Sequence, residues 1–287
     1  MNIQWYPGHM TKTRRQIEAD LKHVDIVVEL VDARIPISSR NPDINAVCGD
    51  MPRIIILNRA DQADSKMNRV WTEFFNKKQG IPAASVDARA GTGVGQMAAL
   101  ARNALKEQMA KWKERGQVGR PIRAMVVGVP NVGKSTFINK VAKRKSAKTG
   151  DRPGVTRGKQ WVSVDSGLEL LDTPGILWPK FEDETIGLHL AFTGAVKDEV
   201  MDPEELACAL LELLRDRYPQ AIMDRYKLTE LVGKAGWELL EDCAQKRGMR
   251  ISGGELDTER MAKLLLDEFR GGKLGCFTLE APEDIKP

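Results

Sequence analysis

The segment Gly128-Val-Pro-Asn-Val-Gly-Lys-Ser135 constrains this chain more than any other. It matches GxxxxGK[ST], a loop whose glycines let the backbone point successive N–H groups at phosphate oxygens, while the lysine reaches the β- and γ-phosphates and the serine hydroxyl reaches Mg²⁺. Such a loop belongs between a buried strand and a helix. Both are predicted here, because the apolar run Ile122-Arg-Ala-Met-Val-Val127 precedes it and Thr136-Phe-Ile-Asn-Lys-Val141 follows with helical character. The motif assigns Val132, Gly133, Lys134, Ser135 and Thr136 to a phosphate site, with Lys134 as its charged group.

The rest of the pattern fits an α/β fold around that loop. Asp25-Ile-Val-Val-Glu-Leu-Val-Asp32 and Arg53-Ile-Ile-Ile-Leu57 read as buried parallel strands, and stretches at 66–78 and 94–112 read as helices between them. Two further strands, 160–164 and 168–171, meet at Asp165-Ser-Gly167 in a hairpin turn, and the polar segment 111–121 reads as a surface connector. Beyond residue 182 the pattern turns helical. Asp202 caps a helix with Pro203 at its first position and Glu204 and Glu205 in its first turn, and Leu206, Leu210, Leu213 and Leu214 form its apolar face up to Tyr218-Pro219. Later helices are predicted over 229–246 and 257–270. The expected organisation is therefore an α/β domain over 1–181 followed by a small all-α domain over 182–287, and 287 residues accommodate both at about 100–200 residues per domain.

Charge divides the chain at the same place. The net +4 conceals a first part, 1–181, with 30 basic and 17 acidic residues, and a second, 182–287, with 14 and 23. Between Lys140 and Lys159 eight basic residues (Lys140, Lys143, Arg144, Lys145, Lys148, Arg152, Arg157, Lys159) meet one acid, Asp151. Such a run favours a polyanion, because each neutralised phosphate releases counterions; the alternative is a solvated face. No stretch approaches the roughly 18 apolar residues of a membrane span and the start carries neither a signal peptide nor an Arg-rich presequence, so a cytoplasmic protein without a membrane partner is expected. Cys48, Cys208, Cys243 and Cys276 are widely spaced and form no CxxC, which predicts reduced thiols.

Two further elements complete a nucleotide site. Asp172-Thr-Pro-Gly175 ends a predicted strand, where Asp172 would hold the magnesium shell through water and the Gly175 N–H would sense a γ-phosphate. Asn58-Arg-Ala-Asp61 follows the strand at 53–57 and is similar to the NKxD element with which small GTPases read guanine: the Asp61 carboxylate can accept from N1 and the exocyclic N2, donors adenine lacks. Ala60 lies within this element. Arg59 replaces the usual lysine, although its stem can still lie against the purine. The alternative is that Asn58 and Asp61 cap the next helix. After Gly80-Ile-Pro82, the segment Ala84-Ser85-Val86 falls where the loop over the base is expected.

In ordinary GTPases the base-reading element follows the phosphate loop; here it precedes it. With that permuted order, and with Trp5-Tyr-Pro-Gly-His-Met10, Asp32-Ala-Arg-Ile-Pro36, Gly150-Asp-Arg-Pro-Gly-Val-Thr156, Phe269-Arg270 and Gly272-Lys-Leu-Gly275, the chain resembles the ribosome biogenesis GTPase A (YlqF) family over essentially its whole length. The resemblance implies a circularly permuted Ras-like P-loop GTPase domain with a small all-α C-terminal domain. It also implies binding of GTP and GDP with Mg²⁺, held by Ser135, Thr156 and, through water, Asp172, and a K⁺ ion at Asn131. The implied partner is an immature large ribosomal subunit, through rRNA and ribosomal proteins, with hydrolysis coupled to late assembly and release; the protein itself is expected to be a monomer.

Where Ras-like proteins orient water with a glutamine, this chain has Ile176, so slow intrinsic hydrolysis stimulated by the ribosomal particle is expected. The resemblance points to His9 as the replacement, against a structural role for a lone histidine, and to Lys134, Thr156 and Gly175 as the other groups around the γ-phosphate. Readings from other classes are a P-loop kinase of a small metabolite, disfavoured by Asn58 to Asp61, and an RNA-binding protein with an inert nucleotide site. A small-subunit relative of permuted type is disfavoured by the lack of an added OB-fold or zinc module.

Overall fold

The computed structural model describes residues 10–146, 161–165, 167–173, 177, 183–196 and 201–285. Its described strands are β1 (Ile26–Asp32), β2 (Arg53–Asn58), β3 (Ala83–Ser85), β4 (Ile122–Val127), β5 (Trp161–Asp165) and β6 (Leu168–Asp172). They form one sheet in the order β3-β2-β1-β4-β6-β5, parallel throughout except for β5, which runs antiparallel to β6. Every residue of β1 is buried, as a central parallel strand covered on both faces requires, which is why these strands read as continuous apolar runs rather than alternating ones.

Side chains on one face of β1 feed two apolar clusters. Val27 meets Ile17 and Leu21 of α1 (Met10–Leu21) and Ile44 and Cys48 of α2 (Pro42–Cys48). Val31 meets Ile55, Leu57, Trp71 and Phe75, the last two from α3 (Ser65–Glu73) and its continuation. The helix predicted over 66–78 is present, but its final residues, Phe74–Lys78, widen into a π-turn from which Phe74 and Phe75 both pack on Trp71. The single helix predicted over 94–112 is two, α4 (Gln96–Ala104) and α5 (Lys106–Glu114). Leu105, buried at the break, leaves helical geometry at φ −103°, ψ 12°. The connector is correspondingly shorter than expected, because α5 runs on to bury Trp112 beneath the Arg120 guanidinium, 4.0 Å away.

The second body is helical: α7 (Glu184–Phe192), α8 (Pro203–Arg217), α9 (Pro219–Tyr226), α10 (Gly236–Lys246) and α11 (Thr258–Arg270). The Asp202 carboxylate accepts the N–H groups of Glu204 and Glu205, capping α8 as its sequence predicts. Leu206, Leu210 and Leu214 point inward with Leu211, whereas Leu213 is only half-buried. Pro219 does more than end α8; it begins α9. The helix predicted over 229–246 starts only at Gly236, whose backbone lies so close to α8 that a Cβ there would stand 2.5 Å from the Cys208 carbonyl oxygen. Glu268, buried on α11, is met by Arg225, by the Tyr226 hydroxyl at 2.9 Å and by Arg247 at 3.2 Å, so its charge is paired. Among the described residues no helix is long and apolar enough to cross a membrane.

The two compact bodies divide the chain differently from the sequence reading at its C-terminal end. Residues up to Phe277 belong to the helical body, where Phe277 stacks on Phe269 and meets Tyr218 edge-on, but those from Thr278 onward group with the α/β body. The reason is hydrogen bonding: the Leu279 N–H donates to the Arg34 carbonyl at 2.8 Å, and Trp71 Nε1 donates to the Glu280 carbonyl at 3.2 Å. Assigning all of 182–287 to the helical domain is thereby corrected for residues 278–285.

The contact at Gly236 opposes intrinsic propensity. Ala favours a helix over Gly by up to about 1 kcal/mol, yet the Cβ of Gly236→Ala would collide with backbone and should destabilise the helical body by about 1–3 kcal/mol. Denaturant unfolding followed by helical circular dichroism checks the sign; a stabilised variant would contradict the packing.

Candidate functional site

Because the central strands are parallel, their C-terminal ends deliver Asp32, Asn58 and Asp172 to the same edge as the loop that follows β4. The neighbours β1 and β4 lie where the chain order reverses direction across the sheet, the place where open α/β sheets form their ligand crevice. Gly128 leaves β4 so close to β1 that a Cβ would lie 2.4 Å from the Leu30 carbonyl oxygen and 3.2 Å from Val132 Cγ1. Asn131 at φ 58° and Gly133 at φ 97° then turn the loop through left-handed conformations, which asparagine and glycine tolerate.

Lys134 begins α6 (Lys134–Ser146), and its side chain folds back over the loop to donate to the carbonyls of Gly128 and Val129, each at 2.9 Å. Burial pulls its ammonium down to about 8, with the Asp172 carboxylate acting in the other direction. Ser135 and Thr136 stand exposed on the first turn of α6. Desolvation pushes Asp172 above the usual carboxylate range, opposed by the Lys134 charge and the Thr173 N–H. Lys134, at the start of α6, and Asp172, at the end of β6, thus act on each other's charge.

Asn58 joins three loops. Its Nδ2 donates to the Val132 carbonyl at 2.8 Å, and its Oδ1 accepts the Ala88 N–H at 3.1 Å. A Cβ on Gly133 would approach Asn58 Nδ2 to 2.6 Å, so the loop and the side chain fit only because position 133 lacks one. Arg59, at φ 61°, donates to the Asn131 carbonyl at 2.7 Å and to Gln62 Oε1 at 3.2 Å, and its Nε stands 3.7 Å from Asp32 Oδ2. The helix-capping alternative for Asn58 and Asp61 fails, since Asp64 caps α3 by accepting from Lys66 and Met67. Ala60 donates to the Val86 carbonyl, and Asp61 is exposed.

Ser85 and Val86 are placed differently from the sequence reading. The Ser85 hydroxyl faces Thr72 at 2.9 Å and the Asn68 carbonyl, and Val86 is buried with its N–H on the Leu57 carbonyl. The loop that reaches Asn58 begins two residues later, at Ala88. Asp87 shapes it by accepting from the Arg89 and Ala90 N–H groups, and Gly91 and Gly93 at φ 91° and 76° complete it. Those glycines were the available sequence signal. Lys140, the first residue of the basic run, donates to the Arg89 carbonyl at 3.0 Å and so ties α6 to this loop. His9, Thr156, Gly175 and Ile176 lie outside the described residues, as do Lys148, Arg152, Arg157, Lys159 and the side chains of Lys143, Arg144 and Lys145.

Sequence analysis did not single out the Asp32 carboxylate, which accepts from Arg34 Nε at 2.9 Å and from its Nη2 at 2.7 Å. Burial alone would raise Asp32, but Arg34 and, farther off, Arg59 hold it below the usual carboxylate range.

Similarity to known proteins identifies the family. A family model described as 50S ribosome-binding GTPase matches residues 123–228, which include the phosphate loop. A ribosome biogenesis GTPase A from Bacillus cereus is 48% identical over 99% of this chain and 96% of its own length. The chain belongs to the ribosome biogenesis GTPase A family. The Thermotoga maritima member is 35% identical over 99% of this chain and 97% of its own. Among solved structures, a GDP-bound YlqF aligns with TM-score 0.70 at 31% identity, over 94% of this chain and all of its own, and a GNP-bound YlqF from T. maritima with TM-score 0.66, over 96% and all of its own. The protein is therefore a circularly permuted GTPase of ribosome assembly that binds guanine nucleotide.

The two crowded glycines of the loop give a direct check on the site. Gly128→Ala meets an immobile strand carbonyl, and Gly133→Ala must displace the Asn58 side chain and also hold an alanine at a left-handed φ, so each should weaken GDP binding by at least about tenfold, roughly 1.4 kcal/mol. Equilibrium titration with a fluorescent GDP measures this; unchanged affinity in both variants would remove the loop from the site.

Proposed function

We propose that this protein binds an immature large ribosomal subunit in its GTP-bound form and couples hydrolysis to late assembly and to its own release. The observation that carries the reading is the stitching of the phosphate loop, with Lys134 folded over it, to Asn58 and Arg59, which supports Asp61, two residues on, as the guanine-reading carboxylate. The match to a 50S ribosome-binding GTPase model supports the large subunit as platform.

Within that crevice the backbone of Val132, Gly133, Lys134, Ser135 and Thr136 cradles the phosphates, Lys134 moves from its own loop carbonyls to the β- and γ-phosphates, and Asp61 selects guanine. The residues present also fit Mg²⁺. Ser135 stands exposed on the first turn of α6 and Asp172 ends β6, the strand paired with β4, so a hydroxyl and a carboxylate would hold an ion otherwise ligated by phosphate oxygens. Bound there, the metal would neutralise developing phosphate charge. Thr156 and Gly175 sense the γ-phosphate, His9 orients the attacking water in place of the apolar Ile176, and Asn131 provides the K⁺ position. Intrinsic turnover is slow and the ribosomal particle stimulates it.

Three measurements test this. Asp61→Asn should lower GDP affinity by about 2–4 kcal/mol and move preference towards xanthine nucleotides; equal binding of ATP and GTP by the unaltered protein would overturn the base assignment. Phosphate beside Lys134 should lift its pKa from about 8 back towards the usual lysine range. Nucleotide binding at pH 8.5 should then take up a proton, and affinity should fall as pH rises between about 8 and 10. Calorimetry in buffers of different ionisation enthalpy reads that proton, and no uptake would contradict the described Lys134 environment. Finally, cosedimentation with large-subunit particles should be stronger with a non-hydrolysable GTP analogue than with GDP and should weaken with salt. Equal pelleting in both states would reject the switch.

A further inference from the structure

The last described residues return from the helical body to the edge of the sheet where the nucleotide crevice lies. They are hydrogen-bonded there to two elements at once. On one side, the Glu280 carboxylate accepts the Ile37 N–H at 2.6 Å and the Ser38 N–H at 3.0 Å, and the Leu279 N–H donates to the Arg34 carbonyl. On the other, the Thr278 hydroxyl accepts the N–H of Asp64, the cap of α3, at 3.2 Å, and the Glu280 carbonyl accepts from Trp71 within α3. Each of these contacts lies within the α/β body.

Beside the first of these elements stands Arg59. The loop that Glu280 holds is closed on itself: the Asp32 N–H donates to Ser39 Oγ at 2.9 Å, the Ser39 hydroxyl donates to the Ile35 carbonyl at 2.7 Å, and Arg34 grips Asp32 through both carboxylate oxygens. The side chains of Asp32 and Arg34 are 4% and 1% exposed, so water cannot replace either partner. Arg59 Nε has no hydrogen-bond partner of its own, and Asp32 stands 3.7 Å from it as the opposing charge. Arg59 then spends its terminal nitrogens on the Asn131 carbonyl of the phosphate loop and on Gln62. A planar guanidinium reaches these three partners with separate nitrogens held in a rigid fork, whereas a lysine would have one nitrogen to share among them.

We infer that Glu280, with the tail residues Thr278 and Leu279, is a positioning element for the nucleotide site: it fixes the 32–40 loop, that loop fixes Asp32, and Asp32 aims Arg59 at the phosphate-loop backbone, so that the tail sets how long guanine nucleotide stays bound. This rests on reading Asn58 to Asp61 and the phosphate loop as one guanine-nucleotide site. The tail residues themselves act through Arg59. Their expected signature is a change in nucleotide dissociation rate that requires Arg59, which a purely structural contribution to folding would not produce.

The test is a double-mutant cycle on the full-length protein, reading dissociation of a fluorescent GDP by displacement with excess GDP. Glu280→Ala should speed dissociation about three- to thirtyfold, and Glu280→Gln, which keeps an acceptor oxygen, should fall between it and the unaltered protein. In an Arg59→Ala background Glu280→Ala should add nothing further. Thermal melting of each variant runs alongside, and Leu279→Pro, which removes one donor, gives a second route to the same result if Glu280→Ala folds poorly. Effects of Glu280 and Arg59 that multiply, or a lowered melting temperature with an unchanged dissociation rate, would overturn the proposal. Asp61→Asn distinguishes failure of the underlying site: if it leaves GDP affinity untouched, the base assignment falls and the proposal with it, a result separate from multiplicative behaviour in the cycle.

Discussion

One amide side chain holds the nucleotide site of this protein together. Asn58 donates to the Val132 carbonyl and accepts from the Ala88 N–H, so a single residue at the end of β2 fixes the phosphate loop against the loop that follows β3. In the order of the chain these segments are distant, and the 58–61 element comes before the loop it is bonded to. Permutation makes that harmless, because parallel strands present their C-terminal ends along one edge whatever the sequence in which they are visited. The spacing between the two elements is then set by side chain to backbone bonds and by the missing Cβ of Gly133. Arg59 adds a second stitch on the Asn131 carbonyl.

Charge is distributed to the same end. Lys134 is buried on its own loop carbonyls, and that burial holds its ammonium below the usual lysine range against the opposing pull of Asp172 at the end of β6. Lys140 spends its charge on the Arg89 carbonyl, which turns the first member of a basic run into an internal tie. Asp32, by contrast, is kept ionised under cover by Arg34, giving Arg59 a fixed counter-charge.

What the sequence made legible follows from these physics. The strands were legible because burial on both faces leaves uninterrupted apolar runs, and α8 because Asp202, Pro203 and two glutamates mark its start with the chemistry of a helix N-terminus. The break at Leu105 was not, since a buried leucine carries no turn signal, and neither was the start of α10, where the Gly236 contact with Cys208 comes from another helix. In the site, GxxxxGK[ST] and Asn58 to Asp61 could be read as motifs. The shift from Ser85 and Val86 to Ala88 could not be read from strand chemistry alone, because Ser85 is taken by Thr72 and Asn68. The destination of residues 278–285 was also hidden, because it depends on partners more than 200 positions away, Glu280 on Ile37 being separated by 243.

The central claim is that the 58–61 element and the 128–135 loop behave as one unit that guanine nucleotide closes. Hydrogen–deuterium exchange by mass spectrometry, comparing the protein alone with the protein saturated with GDP and with ADP, addresses it most directly. GDP should slow exchange together in peptides covering 56–64, 86–90 and 128–138, and ADP should leave the first two unchanged. Protection confined to 128–138 with GDP, or the same pattern with both nucleotides, would contradict the account.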